Sequence, residues 1–597
     1  MNPAAERIAS LRAWLRSAGH DACLIPNTDP HQSEYIAPHW QFLAWLSGFS
    51  GSAAHLVVSE SFAGMWTDSR YFLQAEQQLA GSGIELMRLR VPHRPEYMDW
   101  LAEHLPPGGR LALDGSLFSV QRLGALEQRL AGPGIRVADV GDLARPLWPG
   151  RPEAPAAPLF LHKVLPHAAR RAAKLARLRQ QMAEQGADYH LIASPDDLAW
   201  LLELRGADVP FSPLFLAYGL ISQKEAQLFV APKKAPPDVR AALEADGVRL
   251  APYEAAEAAL GALPGGSSLL FDPARCNSRL KGAFSPAVRL IEGPQPSTAL
   301  KAVKDEAEIA CLREALLRDG LAWVRLLRWL LEEAAHPLAE SEIAARFDAI
   351  RAGLPRYWGP SFPSIVGYGP NGAIVHYRPE PGRDAQTRRE GLLLIDAGAQ
   401  YEDGTTDLTR TLALGPVQAA HREDYTRVLR GHVALARAVF PAGTCGYQLD
   451  PLARQPLWAA GKNYGHGTGH GVGFFLSVHE GPPGLSAAAL GPSSAALQPG
   501  MVLTNEPGLY VEGQYGIRIE NILLCVPLPG LSDQQGAFLG FETLSLAPFD
   551  RRLIVAEMLE PGEREWIDRY HRRVFEQLSP ALEPAERAWL EAETRPL

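Results

Sequence analysis

The sequence predicts a mixed α/β and α+β architecture: two tandem α/β units followed by one larger α+β domain. Three observations carry that reading. Prolines recur every third residue at Pro146, Pro149, Pro152, Pro155 and Pro158, a spacing that favours polyproline II and reads as a semi-rigid linker. The order of elements before that linker returns after it. From Leu300 onward, helical patterns and antiparallel hairpins fall in separate blocks.

Taken in order, an amphipathic helix over Ala5–Ala18 meets Gly19, and a strand follows at Ala22–Ile25. Next come Leu43-Ala44-Trp45-Leu46 and short strands at His55–Ser59 and Ala63–Thr67. Beyond the linker, the helix Ala172–Gln185 stops at Gly186 and a strand follows at Tyr189–Ala193. Leu198-Ala199-Trp200-Leu201 then repeats the earlier tetrapeptide, ahead of strands at Leu214–Ile221 and Ala226–Val230. Helix, glycine, strand is a common order in α/β proteins, but self-similarity of this extent reads as two copies of one unit. The basic residues Arg170, Arg171, Lys174, Arg177 and Arg179 read as a solvated helix face. In the third region a long helical pattern, Asp305–Ala334, carries Leu312, Leu316, Leu321 and Leu327. A helix near Ser341–Ala352 and several hairpins follow, and Pro561–Leu590 closes the chain as helix interrupted near Pro580 and Pro584. The expected domains are residues 1–150, 160–299 and 300–597.

Composition narrows the function. With 58 Lys+Arg against 67 Asp+Glu, the net charge is −9, the wrong sign for a chain that must displace counterions from nucleic acid. The five cysteines are scattered without a CxxC, which argues against a disulfide framework or a cysteine zinc site and fits a reducing compartment. Glu6, Arg7 and Arg12 stand where a signal peptide needs an apolar run. The greasy stretch Leu321–Leu331 is broken by Arg325 and Arg328, short of the ~18 apolar residues of a membrane span. A soluble cytoplasmic protein is expected.

The informative chemistry lies between residues 376 and 520. An apolar strand, Leu392–Ile395, ends in Asp396; Gln400–Gly404 supplies turn chemistry; Thr406–Ala413 alternates as a strand. A simple hairpin register would put Asp396 directly opposite Asp407, on one face, with Cβ atoms about 5 Å apart. The pattern recurs downstream. Val502–Glu506 and Ile517–Leu524 read as strands flanking the turn-rich Gly508–Gly516, and Glu506 and Glu520 are centred on Gly513. Like charges directly opposite destabilise a sheet unless something neutralises them. Two such pairs in one domain call for cations.

Between the hairpins runs Gly465-His466-Gly467-Thr468-Gly469-His470-Gly471-Val472-Gly473, with His479 after it. Its glycines permit close backbone packing or left-handed turns beside the imidazoles. It lacks the spacing of a dinucleotide fingerprint, and neither a Walker A lysine nor HExxH occurs. Four carboxylates and one imidazole can hold two divalent ions, the four negative charges balancing the four positive ones. Two metals ~3.5–4 Å apart can share a water and lower its pKa toward neutrality. An oxygen-rich set with one histidine favours manganese, with zinc or cobalt as alternatives.

At these residues the chain resembles the pita-bread metallopeptidases, in particular the long, three-domain Xaa-Pro aminopeptidase (aminopeptidase P) family. In the last region the resemblance rests on Asn371-Gly372-Ala373-Ile374-Val375-His376-Tyr377, Ile395-Asp396-Ala397-Gly398, Thr406-Asp407, His466 to Gly471, Val478-His479-Glu480-Gly481, Asn505-Glu506-Pro507-Gly508 and Gly516 to Asn521. In the first it rests on His31-Gln32-Ser33-Glu34-Tyr35, Ser47-Gly48-Phe49 and Trp66 to Phe72, and in the second on Arg205-Gly206-Ala207-Asp208-Val209. The stretch Trp40–Trp45 departs from the family, which more often carries a basic residue there. The resemblance implies two tandem creatinase N-terminal-like α/β domains before a pita-bread catalytic domain with a C-terminal helical extension.

It also implies roles. Asp396 would chelate one metal, Asp407 and Glu520 would bridge both, and His470 with Glu506 would complete the second. His376 would steady the substrate or tetrahedral intermediate and shuttle a proton. His479 would contact the carbonyl of the residue before proline, His466 would line the proline pocket, and Arg518 would hold the ligand hairpin or the substrate in register. The implied reaction is release of the N-terminal residue from peptides with proline second, by attack of a water or hydroxide bridging two divalent metals. The family often dimerises. The nearest alternative is a prolidase, which shares the ligands but takes only dipeptides; the two full N-terminal domains disfavour it. The other is a pita-bread binding module without metals, disfavoured because all five ligand positions are filled.

Overall fold

A computed structural model describes residues 2–90, 94–534 and 536–597. Its backbone contacts divide it into two compact units, Met1–Thr298 and Ala299–Leu597.

The first unit holds two six-stranded sheets of one topology. In the N-terminal half the strands are Ala22–Pro26 (β1), His55–Ser59 (β2), Ala63–Thr67 (β3), Glu85–Arg88 (β4), Arg110–Leu113 (β5) and Arg136–Asp139 (β6), in the order β4-β3-β2-β1-β5-β6. The other half has Tyr189–Ile192 (β7), Tyr218–Ser222 (β8), Ala226–Phe229 (β9), Val248–Ala251 (β10), Ser268–Phe271 (β11) and Arg289–Glu292 (β12), in the order β10-β9-β8-β7-β11-β12. Strand for strand, the parallel and antiparallel pairings also agree. The repeated tetrapeptide occupies equivalent helices, Phe42–Ser47 and Pro195–Leu202. The first helix, Pro3–Ala18, starts on the Asn2 side chain and stops at Gly19, whose φ of 68° is the left-handed stop that glycine makes cheap. It buries Ala4, Ile8, Leu11 and Leu15, one face at helical spacing.

Three details differ from the sequence reading. The helix expected from Ala172 begins at His167. The strand expected from Leu214 begins at Tyr218, because Leu216 N–H donates to Asp208 Oδ2 at 2.7 Å and Asp208 N–H to Leu214 O at 3.0 Å, so the backbone of 214–216 bonds to a neighbouring loop and not to the sheet. The basic helix face is not all solvated. Arg171 is 0% exposed and Lys174 7%; Lys174 Nζ pairs with Glu203 Oε1 at 2.6 Å, Arg170 also reaches Glu203, and Arg171 pairs with Asp246. Buried Glu203 and half-buried Asp246 draw the cations inward, where pairing offsets desolvation.

His31, from the first motif, and Asn277 bond across the halves of this unit. His31 Nδ1 donates to Ala193 O at 2.9 Å, and its Nε2 accepts from Tyr253 Oη at 2.8 Å. Asn277 Nδ2 donates to Pro30 O and Tyr218 Oη, both at 2.9 Å. Burial lowers the His31 pKa and keeps the ring neutral.

The second unit opens with the helix Glu306–Arg328, begun by a reciprocal cap between Asp305 and Glu308 and ended by a π-turn, Trp329–Glu333. It packs Trp323, Leu326 and Leu327 into one large core with Ile395, Leu412, Leu503 and Leu523. Leu392–Asp396 lies between Ile365–Tyr368 and Thr409–Ala413 in a three-stranded antiparallel sheet. A six-stranded sheet carries Val502–Asn505 against Asn521–Asp533. The closing helices are Pro561–Leu578 and Pro584–Glu593, separated by a short 3-10 turn, Ser579–Ala581. Among the described residues no helix is long and apolar enough to cross a membrane.

Candidate metal centre

Register places the carboxylates. In the first hairpin Asp396 pairs with Thr409, and the loop between contains its own small hairpin, Gln400 opposite Thr405 and Tyr401 opposite Gly404. The expected direct opposition of Asp396 and Asp407 is therefore corrected by two residues, to a diagonal. The turn is centred one position later because buried Asp403 sits at its tip, paired with Arg318 and Arg356. A two-residue slip preserves the face, since side chains alternate with period two. In the second hairpin the ladders on both sides, Asn505 opposite Asn521 and Gly508 opposite Arg518, share one register. That register puts Glu506 opposite Glu520. The loop expected between them is itself a two-stranded ladder, Gly508–Val511 with Tyr515–Arg518.

The two hairpins meet at Thr409 and Glu520. Thr409 Oγ1 donates to Glu520 Oε2 at 2.7 Å, and Glu520 N–H donates to Thr409 O at 3.2 Å. His470 arrives on the short strand Gly469–Gly471. A Cβ on Gly469 would lie 2.0 Å from Thr504 O, and one on Gly471 would lie 2.0 Å from Glu480 O. Close packing is what these glycines provide, and neither adopts a positive φ.

Asp407, His470 and Glu520 offer ligand atoms that all lie within 4.8 Å of one another. Glu506 Oε1 is 3.5 Å from His470 Nε2, as is Asp407 Oδ2. Asp396 Oδ2 takes Arg518 Nη2 at 2.6 Å, while its buried Oδ1 has no hydrogen-bond partner. His470 Nδ1 lies 3.0 Å from Gly471 O. A carbonyl only accepts, so Nδ1 carries a proton and Nε2 is the ring nitrogen that faces the carboxylates. Burial, then the charges of Asp396 and Glu506, pushes Asp407 well above the ordinary carboxylate range. Burial, followed by Asp407 and Asp396, does the same to Glu520. Burial lifts Glu506 to about 7, against the pull of Arg518. The cluster is short of positive charge. An orphaned carboxylate oxygen, an imidazole with Nε2 turned inward and uncompensated carboxylates are what a pair of divalent cations fits.

Of the remaining candidates, His479 touches the group directly, and His466 and the segment bearing His376 connect to it through Tyr510 and Arg518. His479 stands perpendicular to His470, ring centroids 4.3 Å apart. His466 donates from Nδ1 to Gly467 O and accepts from Tyr510 Oη at 2.8 Å on Nε2. Tyr510 Oη in turn takes Arg518 Nη1 at 2.6 Å. His376 follows Val375, whose carbonyl accepts from Arg518 Nη2 at 3.4 Å. Arg518 is only 2% exposed and engages Asp396, Tyr510, Thr409 and Val375. Of the two roles its motif left open, holding the ligand hairpin is the one this geometry carries. Thr409 and Tyr510 escaped the sequence reading. Alternation past Asp407 points to the first, and a diagonal across the second hairpin from Arg518 points to the second.

These features define a candidate site for divalent cations on an α+β scaffold, and the known proteins that this chain resembles are metallopeptidases. Residues 310–527 match the model of metallopeptidase family M24 and residues 537–597 that of its C-terminal region. Residues 7–147 and 150–308 each match a creatinase/prolidase N-terminal domain. Aminopeptidase P2 of Arabidopsis thaliana is 38% identical across 97% of this chain and 86% of its own length. Xaa-Pro aminopeptidase 1 of Dictyostelium discoideum is 35% identical across 97% of this chain and 93% of its own. The crystal structure of a Caenorhabditis elegans X-prolyl aminopeptidase, described as a cytosolic enzyme with a di-nuclear active site, superposes over 100% of both chains with a TM-score of 0.94 at 32% identity. A Bacillus anthracis Xaa-Pro dipeptidase shares the fold over 64% of this chain, with a TM-score of 0.51. The chain belongs to the Xaa-Pro aminopeptidase P family of M24 metallopeptidases.

Proposed function

We propose that this chain is a metal-dependent aminopeptidase that releases the N-terminal residue from peptides whose second residue is proline. The observation that carries the reading is the charge-deficient cluster of buried Asp396, Asp407 and Glu520 with half-buried His470 and Glu506, in a chain that aligns end to end with X-prolyl aminopeptidases. Asp407 and Glu520, at its centre, would bridge two divalent ions, with Asp396 as a terminal ligand of one and His470 and Glu506 of the other. Asp407 and Glu520 are the two carboxylates of the tight Asp407–His470–Glu520 group, and a carboxylate has two oxygens with which to serve two ions, whereas His470 has one inward-facing nitrogen. Bound divalent ions supply Lewis acidity and lower the pKa of a water held between them toward neutrality. The oxygen-rich donor set favours manganese.

Arg518 fixes Asp396 through Oδ2 and leaves Oδ1 without a hydrogen-bond partner, the atom that would take a cation. Both ring nitrogens of His466 are occupied, so it offers a flat wall and no hydrogen bond, a surface suited to a proline ring. His479, packed on His470, would contact the carbonyl before the proline. His376 would hold the substrate and move a proton. A homodimer in the cytoplasm completes the proposal. The experiment is cleavage of Arg-Pro-Pro, its N-acetylated form, Arg-Ala-Pro and an Xaa-Pro dipeptide. Arg-Pro-Pro should be cut before its first proline, the acetylated peptide should resist, and alanine should slow cleavage at least ~10-fold, about 1.4 kcal/mol in the transition state. Equal rates on the acetylated peptide, or strict preference for the dipeptide, would defeat it.

A further inference from the structure

Glu340 opens the helix Glu340–Ala352, is 0% exposed, and lies outside the metal cluster. Its carboxylate is a collecting point. Oε1 accepts from Tyr368 N–H at 2.6 Å and Asn371 Nδ2 at 3.1 Å. Oε2 accepts from Tyr377 Oη at 2.7 Å, Ala385 N–H at 2.9 Å and Asn371 Nδ2 at 3.0 Å. Asn371 Nδ2 also reaches Tyr377 Oη at 3.0 Å.

These donors are neutral and bracket His376. Tyr368 and Asn371 precede it, Tyr377 follows it directly, and Ala385 lies further on. On its other side the same segment is fastened to the ligand hairpin, through Val375 O on Arg518 and the contact of Gly372 with Gly516. His376 thus sits on a strap stretched between a buried carboxylate and the arginine that holds Asp396. A carboxylate suits the first anchor because it only accepts; glutamine would turn an NH₂ group toward donors.

We infer that Glu340 is the positioning residue for His376: it gathers both flanks of the segment so that the imidazole is presented to the metal cluster in one place. The inference rests on the reading of His376 as a catalytic group. Displacement of a catalytic group by about 1 Å can cost ~10²-fold in rate.

The test uses full-length, metal-loaded protein with Arg-Pro-Pro and the variants Glu340→Gln, Tyr377→Phe and His376→Ala, with each of the first two also combined with His376→Ala. Glu340→Gln should lower kcat ~10–100-fold and Tyr377→Phe ~3–10-fold, with KM within about threefold and two metals per chain retained. In the His376→Ala background neither should lower kcat by more than about twofold, since the group they position is gone. Loss of the same factor in both backgrounds overturns the proposal, as does unchanged kcat in folded Glu340→Gln. If Glu340→Gln does not fold, Tyr377→Phe alone and in the double variant decides by the same criterion. Wild-type turnover by His376→Ala would instead sink the reading of His376 itself, whatever Glu340→Gln does.

Discussion

Replacing Gly516 by alanine tests whether the close approach of two backbones sets the catalytic geometry. Gly516 lies on the strand Tyr515–Arg518, four residues before Glu520, and faces the turn Gly369–Ala373, which leads into His376. A Cβ there would stand 1.7 Å from Gly372 O and 2.3 Å from Gly372 C. Real Cβ atoms do not approach closer than 3.0 Å, so strand and turn must separate by about 1.3 Å, and both obstacles are backbone. The expected cost in stability is ~1–3 kcal/mol, the range for inserting a methyl group into a packed site. Displacing His376 relative to Glu520 by that distance should lower kcat ~10²-fold. The assay is Arg-Pro-Pro hydrolysis at saturating metal, with denaturant unfolding and metal analysis alongside. Gly513→Ala is the control. It sits in the same hairpin at φ +71° with open space around its Cβ, so it should cost ~1–2 kcal/mol of backbone strain and leave kcat unchanged. Turnover of Gly516→Ala within threefold of wild type, in folded protein, would refute the argument.

Three further outcomes follow from the same geometry. Asp407→Asn should abolish turnover and lower metal content, because a bridging charge disappears, while the metal-free variant should be at least as stable as metal-free wild type. Burial and the neighbouring Asp396 and Glu506 already disfavour the Asp407 charge, so near wild-type activity at saturating manganese would sink the two-metal assignment. His376→Ala should keep both metals and lose ~10²–10⁴-fold in turnover; loss of metal would mark His376 as a ligand. Acid lability should come from buried histidines. Burial, with Arg410 next, lowers His432 and His571 to about 3, and burial lowers His190 to about 4. Their unfolded pKa is about 6.5, so below it the unfolded chain takes up protons that the folded chain refuses. In metal-loaded protein, where bound cations keep the otherwise raised carboxyls of Asp407, Glu506 and Glu520 ionised, full stability should hold above about pH 6.5 and fall by roughly 1.4 kcal/mol per pH unit per histidine toward pH 4. Denaturant midpoints at pH 7.5 and pH 5 measure it, and a flat profile would refute it.

The sequence by itself determined the duplicated α/β units and the two acidic hairpins. These are local signals: a helix stop at glycine, alternation along a strand, a turn that sets register. Glu506 and Glu520 were placed opposite each other by symmetry about Gly513, and two ladders keep that register. Asp396 and Asp407 were placed two residues out, because the centre of their turn depends on Arg318 and Arg356 reaching Asp403 from elsewhere in the chain. Nothing local announces such a contact. For the same reason the basic helix reads as solvated from its sequence, while Glu203 and Asp246, distant in the chain, receive its charges. Residue types and spacing named the candidate ligands, since four carboxylates and a histidine between glycines declare their chemistry. Only the tertiary structure decided which atoms converge, that His470 turns Nε2 inward, that Arg518 is spent on Asp396, and that Glu340 holds the flanks of His376. Each of those depends on hydrogen bonds between residues distant in the chain, whose partners are chosen by packing.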